Sequence, residues 1–344
     1  MQNGYIILPL LDGICREATL FAALWFLVGG LGDLLVDLLY FADRVGYRVR
    51  AALLGERAGP VASDLPSGDG AMPGQAMAVF IPAWDESGVI GAMARATLSR
   101  LAYPDYRLYI GAYPNDPATI AAVLDVAQTD ARVRLVLCAH PGPTTKADCL
   151  NALWRALLRD ETAEGKRFAG VLLHDAEDVV HPLELRVVAQ WLCRHAAVQL
   201  PVLPLPHPRS RFVSGHYCDE FAESHGKQLV VRQMLGAGVP FAGVGCAIRR
   251  DVLARIADAR GGAPFDAASL TEDYELGLTI SAIGESVGFV RVAEAPGGPL
   301  VAVRAYFPAD LSAAVRQKAR WMTGIALAGW DRIGWSRAGA VADN

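Results

Sequence analysis

Three carboxylates stand within four residues at Asp175-Ala176-Glu177-Asp178, just after the apolar run Val171-Leu172-Leu173 and His174. Carboxylates crowded together raise one another's pKa unless a cation compensates them, so this stretch is the best metal candidate in the chain. The same acids would also suit an ordinary strand-to-helix turn in which Asp178 caps the helix. Further along, Thr271-Glu272-Asp273 sets two acids directly before an amphipathic stretch, which reads equally as a capping arrangement or as a base. Gln317, Arg320 and Trp321 share one side of a helix through 315–322, either as an anion-meeting and aromatic set or as an ordinary surface salt-bridge helix. Lys146, alone near the start of another helix, would neutralise phosphate or simply be solvated.

These groups need a scaffold, and the apolar pattern predicts one. A short strand over 78–81 ends at Pro82-Ala83-Trp84-Asp85-Glu86 and is followed by a helix over 89–101. A second strand, 106–113, stops at Pro114-Asn115-Asp116 before a helix over 117–127. A third, 133–138, is broken by Pro141-Gly142-Pro143, and a helix then starts around Thr144 and runs to about Leu158. Strands alternating with helices at this pace imply an α/β fold with a mostly parallel sheet and right-handed crossovers. Val171–Leu173 is the fourth strand of the series, so the acids share a rim with Trp84, Glu86, Asp116 and Lys146. Each taken alone has a plain structural explanation as a cap, a turn residue or a solvated lysine. Together they picture a nucleotide bound across the sheet edge. Neither G-x-x-x-x-G-K-[ST] nor G-x-G-x-x-G follows the first strand, which disfavours a P-loop or a dinucleotide fold. Downstream, the spacing predicts a helix over 181–196, one strand over 198–205, a helix over 217–235, and a strand after the glycines of 241–248. Those glycines permit close approach by a ligand, and Arg249-Arg250 reads as a binding pair or a solvated helix start.

Global properties bound the function. A chain of 344 residues can bury a sizeable core, and a net charge of -4 gives no electrostatic case for nucleic acid. The six cysteines are scattered without C-x-x-C spacing, which signals neither a zinc site nor a disulfide framework and fits a reducing cytoplasm. Residues 18–41 are apolar and long enough to cross a bilayer as a helix, interrupted by Asp33 and Asp37 on one face. Arg44, Arg48, Arg50 and Arg57 follow this span and only Arg16 precedes it, which predicts that everything downstream lies in the cytoplasm. The expected organisation is a membrane anchor over 1–58, a Pro/Gly/Ser-rich linker over 59–76, a folded domain over 77–330, and the start of a further membrane region over 331–344.

The residues already named also carry a resemblance. Pro82-Ala83-Trp84-Asp85-Glu86, Asp116, Lys146 with Leu150-Asn151, Asp175-Ala176-Glu177, Thr271-Glu272-Asp273 and the Q-x-x-R-W run Gln317-Lys318-Ala319-Arg320-Trp321 occur in the order of processive-type family 2 glycosyltransferases. That superfamily includes cellulose and hyaluronan synthases. The stretch 174–182, with 304–308 and 316–321, is further similar to the bacteriophage N4 adsorption protein B group of inner-membrane glycosyltransferases. The resemblance implies a GT-A fold, with a Rossmann-like sheet flanked by helices. It implies Mg²⁺ or Mn²⁺ held by Asp175 and Glu177, and a UDP-sugar in a pocket of Pro82, Trp84, Glu86, Asp116, Lys146 and Asp175. Asp273 would be the base, with Glu272, Gln317, Arg320 and Trp321 completing the catalytic set. It further implies inverting transfer, a glycan acceptor for which a UDP-N-acetylhexosamine donor is plausible, a role in phage adsorption, and an outer-membrane partner. The chain departs from the family's Asp-x-Asp metal motif in having Glu177, with Asp178 beside it, and has Asn115-Asp116 where two acids are usual. Within the group more membrane helices are expected beyond Trp335, so the chain reads as a fragment. Two other readings remain: an inactive GT-A scaffold in an export complex, which would have lost the base or the Q-x-x-R-W helix, and a nucleotidyltransferase, which would release pyrophosphate.

Overall fold

The computed structural model describes residues 4–55, 59–65 and 75–334, and the chain divides into two compact units, Met1–Glu56 and Arg57–Asn344. The first unit is one helix, α1 (Gly4–Leu54), within which Pro9–Leu54 is long and apolar enough to cross a membrane by length and composition. It outruns the predicted 18–41 at both ends. Residues 42–54 are rich in Ala, Arg and Leu with no proline, so the helix continues through them despite Gly46. The stop comes at Gly55, whose φ of 64° is a left-handed cap conformation.

In the second unit nine strands are described: β1 (Met77–Pro82), β2 (Tyr106–Ala112), β3 (Val133–Leu137), β4 (Gly170–Leu173), β5 (Ala197–Gln199), β6 (Val202–Leu205), β7 (Cys246–Arg249), β8 (Val287–Phe289) and β9 (Val303–Tyr306). Seven form one sheet in the order β3-β2-β1-β4-β7-β5-β8, while β6 and β9 pair separately. Its helices are α2 (Ile90–Arg100), α3 (Pro117–Ala127), α4 (Lys146–Glu164), α5 (Glu184–Leu192), α6 (Arg211–Glu223), α7 (Leu229–Leu235), α8 (Arg250–Ala259), α9 (Glu272–Ala282), α10 (Leu311–Met322) and α11 (Gly329–Ile333).

The pleat explains the layering. Met77, Val79 and Ile81 of β1 join the apolar residues of α2, α3 and α5 in one core, whereas Ala78 and Phe80 join those of α4 and α8 on the opposite face. A strand buried on both faces suits a parallel sheet, and β1 pairs in parallel with β2 and β4. The exception is β7, antiparallel to β4 with Leu173 opposite Cys246. That register brings the glycine turn before β7 to the same edge as the acids after β4.

Features of the second unit also differ from the sequence expectation. The single strand over 198–205 is two strands in two sheets, because Pro201 has no N–H with which to continue the ladder. Val61 and Ala62, inside the expected linker, are buried in the domain, and the Ala62 N–H donates to the Ala293 carbonyl at 2.8 Å. Residues 66–74 of that linker, and 335–344 of the expected further membrane region, lie outside the described residues. Arg249 and Arg250 make structural ion pairs with Asp251 and Glu161. Asn151 is a buried clasp, bonding both the N–H and the carbonyl of Phe265 at 3.0 and 2.7 Å.

Gly277 lets α9 lie against the segment that leads to the glycine turn. A Cβ there would stand 2.5 Å from the Val239 carbonyl and 2.8 Å from the Phe241 nitrogen, both backbone atoms that cannot rotate away. Gly277→Ala should therefore cost about 1–3 kcal/mol in chemical denaturation. Gly88→Ala, at an exposed position with open space, should change stability by no more than about 0.5 kcal/mol.

Candidate active site

β4 ends at Leu173, and His174 follows it, fully buried. Its Nδ1 lies 2.8 Å from Asp178 and its Nε2 2.9 Å from Glu184. Burial alone would lower its pKa, but the charges of Glu184 and Asp178 raise it from 6.5 to about 10. An imidazolium is thus clamped between two buried carboxylates. The Asp178 oxygen that meets the ring also accepts the Asp175 N–H at 3.0 Å, and Glu184 accepts the His181 N–H at 3.2 Å. Val179 is bridged to Arg304 of β9, with N–H to carbonyl distances of 2.7 and 3.2 Å. Asp178 borders the adjoining cavity but is engaged in holding the turn, and Asp175 and Glu177 line the same cavity.

Against Asp175 stands Lys146, the first residue of α4, whose Thr145 cap accepts the Asp148 N–H at 3.2 Å. The ammonium pairs with Asp175 and donates to the Gly243 carbonyl at 3.3 Å. Burial opposes its charge, but Asp175, Glu272 and Asp273 outweigh that and push its pKa up, so it stays protonated. Gly243 has φ 78°, and a Cβ at that position would run into the Asp273 carboxylate. The glycine turn is held by Gln199, a fully buried side chain of β5: its amide donates to the Val244 carbonyl at 2.9 Å and its oxygen accepts the Ala242 N–H at 2.9 Å. Sequence reasoning missed Gln199. The available signal was one polar residue inside the apolar run 196–203.

Glu272 and Asp273 open α9, with Asp273 accepting the Tyr274 N–H at 2.8 Å. Burial, then the Asp273 charge, pushes Glu272 up to about 7, against the pull of Lys146. Asp273 is likewise raised by burial and opposed by Lys146. From α10, Gln317 accepts the Tyr217 hydroxyl at 2.7 Å, and Trp321 stands edge-on to the Tyr217 ring at 6.2 Å. The result is a cavity of about 360 Å³ whose lining includes Lys146, Asp175, Glu177, Glu272, Asp273, Gln317, Arg320 and Trp321.

Pro82, Trp84, Glu86 and Asp116 do not line this cavity; they stand at the neighbouring strand ends. Asp116 is buried, accepting the Asp85 N–H at 2.7 Å and the Thr119 N–H at 3.2 Å, so it caps α3 and fixes the β1–α2 turn. Trp84 lies edge-on to Tyr113 at 5.2 Å, close against Gly142. Glu86 belongs to the same charge cluster, since burial and then Asp175 raise its pKa.

The donor set fits a hard divalent cation. Glu177 is pushed up to about 7 by burial and then by Asp175, Glu86 and Asp178, a repulsion that a cation would relieve. Among the described residues no group of three or more His, Cys, Asp or Glu side chains suits a metal alone. A cation here would draw its remaining oxygen ligands from phosphate and water.

The family described as Glycosyltransferase like family 2 matches residues 73–324. The chain is 39% identical over 329 residues to bacteriophage adsorption protein B of Escherichia coli K12, covering 90% of this chain and 43% of that protein. Bacteriophage N4 adsorption protein B of Escherichia coli O157:H7 matches with the same identity and coverage, so the chain spans less than half the length of these curated relatives. Among solved structures, a mannosyltransferase from Pyrobaculum calidifontis in complex with GDP-Man and Mn²⁺ superposes with a TM-score of 0.56 at 17% identity, covering 89% of this chain and 76% of its own. That likeness is one of fold, the GT-A arrangement expected from the sequence.

The clamped imidazolium has a measurable signature. A group whose folded pKa is raised contributes stability that is complete below its unfolded value and is lost as pH rises through the folded one. Stability to denaturant should therefore fall from pH 6.5 to about 10, and His174→Gln should flatten that slope. At neutral pH, His174→Ala strands two buried carboxylates and should cost about 3–5 kcal/mol.

Proposed function

The chain belongs to glycosyltransferase family 2, and from that footing we propose that it transfers a sugar from a UDP-sugar to a growing surface polysaccharide, with inversion at the anomeric carbon. That it is a glycosyltransferase follows from its family. The observation that carries the finer reading is the convergence of Lys146, Asp175, Asp273, Gln317, Arg320 and Trp321 on one cavity from four separate elements.

Asp175 and Glu177 are the residues that would hold Mg²⁺ or Mn²⁺, whose chemistry when bound is to polarise the donor's diphosphate as a Lewis acid. Lys146 and Arg320 bring fixed positive charge toward the same diphosphate as it leaves. Gln317, held by Tyr217, orients a hydrogen bond into the cavity. Asp273 is the base: burial raises its pKa and so strengthens it as a proton acceptor. The acceptor hydroxyl oxygen bonds to the anomeric carbon, the bond from that carbon to the β-phosphate oxygen breaks, the hydroxyl proton passes to Asp273, and UDP departs. Asp273 and Trp321 also border a second cavity of about 300 Å³, lined by Phe241 and Tyr274, which suits an acceptor arriving from the far side of the base. Trp321 offers it an aromatic face.

Pro82, Trp84, Glu86 and Asp116 would form the nucleotide end of the site, Asp116 by holding the turn that carries Asp85 and Glu86. Uridine and an N-acetylhexosamine are the donor components favoured by the motif resemblance, and the mannosyltransferase neighbour, solved with GDP-Man and Mn²⁺, is consistent with a nucleotide-sugar and a metal. The apolar span Pro9–Leu54 supports placement in a bacterial inner membrane with the catalytic domain in the cytoplasm. The adsorption protein relatives support a part in building a phage receptor polysaccharide, together with an outer-membrane export partner.

Asp273→Asn should slow transfer by about 10²–10⁴-fold while leaving UDP-sugar affinity nearly unchanged, because it removes the proton acceptor and no cation ligand. Unimpaired turnover in that variant would remove Asp273 from the reaction. Membranes carrying the chain, given a panel of UDP-sugars and GDP-mannose with Mn²⁺, should release UDP from one donor and stop on chelation. Release from none of them would favour a scaffold, and release of pyrophosphate a nucleotidyltransferase.

A further inference from the structure

The second cavity, which shares Asp273 and Trp321 with the first, is bordered by an irregularity in the backbone. The helix expected over 217–235 is not continuous: α6 ends at Glu223, Ser224–Gln228 winds as a π-helix, and α7 resumes at Leu229. Single π-turns are rare and recur at functional sites. Of this one, Ser224, His225 and Gln228 line the cavity. A second π-segment, Thr323–Ala328 after α10, brings Ile325 to the same space.

His225 is 6% exposed, its ring set against Phe221 at 5.0 Å and edge-on to Phe289 at 5.6 Å. Its Nδ1 accepts the Val202 N–H at 3.1 Å and so carries no proton. Burial pushes the pKa down from 6.5 to about 3, which keeps the ring neutral and puts its single proton on Nε2. Among the described residues that N–H has no hydrogen-bond partner. A buried donor left unmatched costs about 1–3 kcal/mol, so a donor on a cavity wall calls for an oxygen from whatever enters. The rest of the lining says what enters. Phe241, Tyr274 and Trp321 supply aromatic surface, and Asp273 stands where this cavity meets the first. Aromatic walls with a few directed polar groups suit a sugar ring, whose faces are apolar and whose rim carries oxygens.

We propose that His225 is an acceptor-binding residue, its Nε2–H donating to a substituent oxygen of the sugar at the growing end of the glycan and seating that sugar beside Asp273. The inference rests on the sugar-transfer reading above and adds to it the side chain that selects the acceptor. A site built to donate to an oxygen discriminates against an acceptor that lacks it.

The test uses the full chain in lipid nanodiscs with Mn²⁺ and the UDP-sugar that releases UDP in the donor panel. The acceptor probe is the methyl glycoside of that same sugar, which mimics a chain end. His225→Asn retains an oxygen to accept the Val202 N–H but has no donor at the Nε2 position, whereas His225→Gln retains a donor there. His225→Asn should raise KM for the glycoside by about 3–10-fold, the worth of one hydrogen bond, with kcat, Mn²⁺–UDP affinity and thermal stability unchanged. His225→Gln should bring KM back toward the wild-type value. An unchanged KM in His225→Asn overturns the proposal. So does an equal rise in both variants, which would make the ring a packing element, and so does loss of Mn²⁺–UDP affinity in both, which would make it a support of the fold. Absence of UDP release from the wild-type chain would instead remove the sugar-transfer reading, and this inference with it.

Discussion

Repulsion among carboxylates around a single ammonium is the constraint on which the site depends. Lys146 pairs with Asp175 and reaches the Gly243 carbonyl, while Glu86, Glu177, Glu272 and Asp273 crowd the same region. Unopposed, these acids would drive the β4 turn and the start of α9 apart. Each is therefore held from behind by something rigid. His174 ties the first group through Asp178 and Glu184, Gln199 holds the glycine turn, and Gly277 allows α9 to pack on backbone. The charge left over is an excess of negative potential facing a cavity, which a divalent cation would offset.

The same constraint explains why β7 runs against its neighbours. An all-parallel sheet would bring only helix-entry turns to this edge. Inserting β7 antiparallel between β4 and β5 delivers a glycine turn there as well, close enough for Lys146 to bond its carbonyl. The acids of α9 are then reached across that turn, where a side chain larger than hydrogen at Gly243 would collide with Asp273.

Much of this was legible in the sequence, for identifiable reasons. Strands β1 to β4 announce themselves because each is an apolar run closed by Pro, Asn or Asp, and the rim position of Asp175, Lys146 and Glu86 follows from parallel order alone. Asp273, Gln317, Arg320 and Trp321 were visible as motif residues, although only the fold shows them sharing a cavity with Lys146. The division between Glu177 and Asp178 was not legible, because it depends on a buried histidine whose second partner, Glu184, lies ten residues away on α5. Gln199 and Gly277 act through backbone contacts with distant segments, and no local pattern encodes those. The split at Pro201 was available in principle from the missing N–H, but an apolar run on both sides of it hid the change of sheet.

The central claim is that Glu177, raised by burial and by the charges of Asp175, Glu86 and Asp178, faces a cavity where a bound cation would displace its proton. Calorimetric titration of Mn²⁺ with UDP at neutral pH, repeated in buffers of different ionisation enthalpy, measures that displacement directly. With Glu177 pushed up to about 7, binding should release protons, and Glu177→Gln should diminish the release. Binding that is proton-neutral in every buffer, or release unchanged in the variant, would contradict the account.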